Sequence, residues 1–78
     1  MPREAPDLRE LRRRLAANIR RLRVARKLTQ EDLAGRVGVG WRHLQKIEAA
    51  EINVALSTLQ RLGEALEIDP SALIGPQP

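Results

Sequence analysis

From Leu8 to about Lys27, apolar residues fall at Leu8, Leu11, Leu15, Ile19 and Leu22. These steps of three and four residues are the period of a helix with one inward face. Asp7 stands where a helix cap belongs, and Ala16, Ala17 and Ala25 add helix propensity. Leu8, Leu11, Leu15 and Leu22 also fit a heptad with Asn18 at the interrupted d position. Three heptads at most are present, so the reading adopted is one face of a helix lying on its own domain. A second pattern opens at Thr29, where Asp32 supplies the carboxylate arm of a capping box. Its inward positions are Leu33, Ala34 and Val37, and it ends at Gly38. A third begins after Gly40, turns Leu44 and Ile47 inward, and ends near Ala49 or Ala50. A fourth runs through Leu56, Leu59, Leu62, Ala65 and Leu66. Asp69-Pro70 then starts a last short helix, with proline at the first helical position, and Leu73 and Ile74 close the core. No stretch alternates at period two, so five helices and no sheet are predicted.

The segment from Thr29 to Ala49 organises the rest. Two helices crossing steeply need a small residue where their backbones meet, which Ala34 supplies. They also need a residue tolerant of positive φ at the bend, which Gly38 supplies. With Leu44 and Ile47 turned inward, the second of these helices keeps Trp41, Arg42, Gln45 and Lys46 outward. Such a row of long side chains can enter a groove, and the arrangement reads as a helix-turn-helix whose second helix reads DNA.

Composition narrows the picture. A chain of 78 residues allows one domain. It has no cysteine, and one histidine cannot build a zinc site without cysteines or clustered carboxylates. No apolar run approaches the roughly 18 residues of a membrane span, and the charged start does not resemble a signal peptide. A cytoplasmic setting is the expectation. No cofactor, metal or small-molecule ligand is expected. His43, Ser57 and Ser71 lack the constellations that make nucleophiles or bases, so catalysis is not expected. Residues 1–6, with Pro2 and Pro6, are expected to be a flexible N-terminus, 7–74 the domain, and 75–78 a disordered tail.

The net charge of +4 is unevenly spread. Residues 1–27 carry +7 and residues 28–78 carry −3. Nine of the ten basic residues in the first part are arginine, whose planar fork suits phosphate. A polyanionic partner follows, either nucleic acid or an anionic membrane surface.

The chain resembles the Cro/phage-repressor-like (XRE) helix-turn-helix family over about Leu15 to Ile74. The resemblance is carried by Ile19, Leu22 and Arg23, by Thr29-Gln30-Glu31-Asp32-Leu33-Ala34 and by Val37-Gly38-Val39. It continues through Leu44, Ile47-Glu48, Leu56, Leu59, Leu62, Ala65-Leu66 and Leu73. It implies an all-α, five-helix lambda-repressor-like DNA-binding domain, here with an extended first helix, acting as a homodimer on a palindromic operator in double-stranded DNA. It implies that Trp41, Arg42 and Gln45 face bases and that Gln30, Gly40, His43 and Lys46 face the DNA backbone, and Arg20, in the basic first helix, is expected to face that backbone as well. Arg23 and Glu48 are implied to form a structural ion pair. Three positions depart from the family: Ala50 replaces the usual Gly, Ala55 the usual Ser or Thr, and Val54 the frequent Pro. Residues 7–14 add about two turns to the first helix.

Chemistry ranks these positions. Arg42 can fork onto guanine O6 and N7, and Gln45 can pair with adenine N6 and N7. Phosphate contact, or solvation, is the plainer alternative for each. Lys46, a flexible point charge, suits a phosphate. Trp41 can pack on a thymine methyl or a sugar edge, or lie beside the first helix instead. The arginines of residues 9–14 can touch phosphates, flank a helix interface, or be solvated. A repressor or small autoregulatory controller fits best. The alternative is a protein-interaction module on the same scaffold, with membrane-surface binding by the basic helix a further rival.

Overall fold

Three of the five helices start where a side chain or proline serves the first turn. The Asp7 carboxylate accepts from the Glu10 backbone N–H at 2.8 Å, and α1 follows over Leu8–Ala25. Thr29 accepts from the Asp32 N–H while Asp32 accepts from the Thr29 N–H, both at 3.0 Å, which completes the predicted capping box of α2, Gln30–Val37. Asp69 caps α5, Pro70–Leu73, with Pro70 at its first position. Two helices lack such help. Gly40 and Ala55 precede α3 (Trp41–Glu48) and α4 (Leu56–Leu66) with no side-chain bond to the first turn. A computed structural model describes residues 5–77, and no strand occurs among them. Residues 1–4 and Pro78, parts of the ends expected to be loose, lie outside that range. No described helix is long and apolar enough to cross a membrane.

Five short helices share one aliphatic core. Ile19 of α1, Leu33 of α2, Leu44 of α3, Leu62 and Leu66 of α4, and Leu73 of α5 are all fully buried. Each buried side chain of this kind contributes about 1.5–3 kcal/mol from loss of apolar surface to water. Two positions of the sequence pattern are exposed, and Leu11 is half-buried outside this core. Leu56 is 82% exposed: at 100° per residue it lies about 90° from the centre of the face made by Leu59, Leu62 and Leu66. Thr58 turns inward instead. Leu8 is half exposed, because the first turns of α1 project past the helices it packs on.

Asn18, which the heptad pattern treats as an interruption, is almost fully buried. Its amide donates to the carbonyls of Leu73 at 2.9 Å and Gly75 at 3.1 Å, with a longer contact to Ala72 at 3.4 Å. Leu73 ends α5 and Gly75 follows it, so the amide serves acceptors at and just past the C-terminus of that helix. One side chain thus ties the last helix to the first, and the expected tail starts from an anchored Gly75. Gly63 has a packing reason: a Cβ there would meet the Ile68 carbonyl at 2.8 Å and Pro70 at 2.9 Å, so only glycine lets the α4–α5 turn close.

The helix ends store strain. Gly38 terminates α2 at φ 83°, but Lys27, Ala50 and Glu67 occupy the same left-handed region at φ 58°, 61° and 56°. Ala50 closes α3, with its own N–H on the Ile47 carbonyl and the next N–H on that of Lys46. Ala50→Gly should therefore stabilise the domain by about 1 kcal/mol, read as a higher urea midpoint with unchanged slope. A neutral or destabilising result would mean that the turn does not adopt this geometry in solution.

Candidate nucleic-acid interface

α3 divides cleanly. Leu44 and Ile47 are fully buried, whereas Trp41, Arg42, His43, Gln45 and Lys46 are exposed. Trp41, 47% exposed, lines a shallow depression with Arg42, Gln45, Lys46, Ala49 and Glu51. No residue of α1 lines it. His43 is exposed but lies about 130° around the helix from the middle of that row, at 100° per residue. A Cβ on Gly40 would meet nothing within 4 Å, so the start of α3 is open on its outer side.

What aims α3 is a set of bonds behind it. Arg23 of α1 grips the Glu48 carboxylate with two donors, Nε at 2.8 Å and Nη2 at 3.2 Å. Its Nη1 donates to the Leu28 carbonyl at 2.9 Å. The pair is largely desolvated, at 14% and 4% side-chain exposure. Such a pair fixes orientation, since its Coulomb attraction is largely offset by desolvation. Glu48 Oε1 also accepts from the Gln30 amide at 3.1 Å. Gln30, implied to face a phosphate through its backbone N–H and its amide, thus has its side chain held by the same carboxylate. It sits at the N-terminus of α2, where the helix dipole and unpaired N–H groups favour an anion. Arg20, exposed on α1, lines a second depression with Arg23, Gln30, Gln45, Glu48 and Ala49. Gln45 lines both depressions, so one continuous edge runs from Arg20 and Gln30 across to Trp41 and Arg42.

The Asp32 carboxyl is held below its ordinary pKa of 3.8, first by the Thr29 backbone N–H and then by the Thr29 hydroxyl. It stays ionised at neutral pH and keeps negative charge in the first turn of α2, favourable to that helix. Two long-range arginine contacts were not foreseen from sequence. Arg12 Nε donates to Asn53 Oδ1 at 2.7 Å, across 41 residues. Arg26 donates to the Leu66 carbonyl at the end of α4. Neither has a local pattern that could reveal it.

If Arg23 and Glu48 orient rather than stabilise, single and double replacements should differ. Arg23→Met alone should cost about 3–5 kcal/mol by stranding the carboxylate, while Arg23→Met with Glu48→Leu should cost far less. Urea denaturation of the three proteins measures this; equal losses would mean that the pair itself is the source of stability.

Comparison with known proteins agrees with this geometry. A helix-turn-helix family model matches residues 19–73. A Neisseria meningitidis protein described as a hypothetical transcription factor is 34% identical over 76 residues, 97% of this chain and 72% of that protein. An immunity repressor of Bacillus phage phi105 is 40% identical over 57 residues, 73% of this chain but only 40% of the repressor. Among solved structures, a hypothetical transcription factor from Neisseria, NHTF, superposes with a TM-score of 0.83 at 34% identity, over 97% of this chain and 87% of that one. The restriction-modification controller protein C.AhdI of Aeromonas hydrophila superposes with a TM-score of 0.76 at 32% identity, over 80% and 94%. The chain is thus a member of the Cro/phage-repressor-like helix-turn-helix family, a family of DNA-binding transcriptional regulators and not of enzymes.

Proposed function

We propose that the protein is a homodimeric, sequence-specific regulator that places α3 in the major groove of a palindromic operator. The supporting observation is the partition of α3: its apolar side is fully buried and its polar side stands in solvent. The three ion pairs of the described residues engage Arg13, Arg14 and Arg23, leaving Arg42 and Lys46 outside them. An α-helix with its side chains is about 10–12 Å across and suits a groove about 12 Å wide.

Within that pose each side chain has a chemical task. Arg42 forks onto guanine, Gln45 one turn later pairs with adenine, and Trp41 packs on a thymine methyl or sugar edge. Lys46 takes a phosphate. The α2 N-terminus with Gln30, the α3 start at Gly40, and Arg20 of α1 fix the domain on the backbone. His43, at the rim of α3, takes an adjoining phosphate. One α3 offers too few base contacts to single out a genomic site, which is the argument for two copies with recognition helices about 34 Å apart. The similarity to an immunity repressor and to a restriction-modification controller favours repression or self-limiting control. The reading places the protein in the cytoplasm with duplex DNA as its ligand.

Selection of bound duplexes from a random pool tests this directly. A two-fold symmetric motif with half-sites about ten base pairs apart is expected. Arg42→Ala should cost about 1–3 kcal/mol on the selected site and little on a scrambled one, whereas Lys46→Ala should weaken both alike. Equal losses on both duplexes for Arg42→Ala would remove its base-reading role, and an asymmetric motif would remove the dimer.

A further inference from the structure

The projecting turns of α1 carry a feature that base reading by α3 does not use. Arg9, Arg13 and Arg20 fall within about 40° of one another around the helix, turned about 120° from the buried Leu15 and Ile19. Arg9 and Arg20 are some 16 Å apart along the axis at 1.5 Å per residue. The row is continuous with the interface described above. Arg20 lines one depression with Gln30 and Gln45, and another with Arg13, Ala17 and Ala50; both include Ala49. The projecting end is also braced. Arg12 Nε donates to Asn53 in the connection that follows α3, so the start of α1 and the end of the recognition segment are linked directly.

We propose that this arginine row is a second electrostatic contact, seated on the sugar-phosphate backbone of duplex DNA beyond the base pairs that α3 reads. The proposal rests on the DNA-reading role of α3 and widens its footprint. Arg9 is in no ion pair among the described residues. Arg13 pairs only with Glu10, at 2.9 Å in an exposed i,i+3 contact that a phosphate readily replaces. Arg12 holds Asn53 through Nε alone, which leaves both terminal nitrogens to donate. Charge selects the occupant: a row of like charges repels a second copy of itself, whereas the duplex presents a phosphate about every 3.4 Å along each strand. A 16 Å row therefore spans about five base pairs.

The test uses the full chain and two duplexes carrying the site selected from a random pool. One ends close to the bases read by α3, and the other is extended by about five base pairs at each end. The wild type should bind the longer duplex about tenfold more tightly, with a salt slope steeper by about 0.9 per added phosphate contact. Arg9→Ala with Arg13→Ala should match the wild type on the short duplex and lose the gain on the long one, with unchanged helical circular dichroism. Arg9→Lys with Arg13→Lys should retain most of the gain, because charge is what is read. Indifference of the wild type to the flanks overturns the proposal and leaves base reading intact. So does a double-alanine variant that keeps the gain, including one that instead loses binding to anionic vesicles. Failure of the wild type on both duplexes would overturn the recognition reading and this extension together.

Discussion

The Arg23–Glu48 pair is the constraint on which the rest of the molecule depends. It joins the last turn of α1 to the last turn of α3, and the same arginine holds the Leu28 carbonyl in the loop that leads into α2. The same glutamate holds the amide at the start of α2. Three helices therefore take their relative positions from two side chains. An aliphatic core of leucine, isoleucine and valine packs without direction and leaves rotations about the helix axes weakly specified. A two-pronged guanidinium–carboxylate contact, mostly out of water, specifies them through distance and plane. For a protein that must present a row of side chains to a groove, angular precision matters more than a few tenths of a kcal/mol.

The ends of the chain obey the same economy. Only four residues form α5, too few to hold a helix by themselves. Pro70 and Asp69 prepare its start, and the buried Asn18 amide satisfies its last carbonyls. Asn18 also accepts from Arg21 at 3.2 Å, so its oxygen is engaged as well as its nitrogen. A leucine at this position would fill the volume yet strand those carbonyls, and buried unpaired acceptors cost about 1–3 kcal/mol each. The polar break in the apolar stripe of α1 is what lets the short terminal helix belong to the core.

How much of this was readable in the sequence depends on the range of each interaction. The helices and the Thr29–Asp32 capping box are local, so periodicity and spacing located them, with α1 ending at Ala25 and not Lys27. Family resemblance marked Ala50 as standing in place of a glycine, and the structure shows the turn there to be left-handed; resemblance also implied Arg23–Glu48, whose 25-residue separation no local pattern could pair. The partners of Asn18 and Arg12 escaped notice for the same reason: they lie 41 to 57 residues away. Leu56 misled because a three-residue step to Leu59 looks helical and inward. The face was set by Leu59, Leu62 and Leu66, and a residue at the first helical position can lie off it at little cost.

The arginines divide by what surrounds them, and that division explains why the charge asymmetry survives folding. Arg23 and Arg26 reach inward to a carboxylate and to the end of α4, and Arg21 braces Asn18. Arg13 and Arg14 share the single carboxylate of Glu10, at 2.9 Å and 3.3 Å. Acidic groups are too few on α1 to neutralise its remaining cations, and repulsion among them destabilises the free domain slightly. Bringing up a polyanion relieves that repulsion and releases condensed counterions at the same time. The surplus of positive charge is thus mildly unfavourable for the protein alone and favourable for its complex. That is the sign of a surface shaped by its ligand, since stability alone would favour placing more carboxylates beside those arginines.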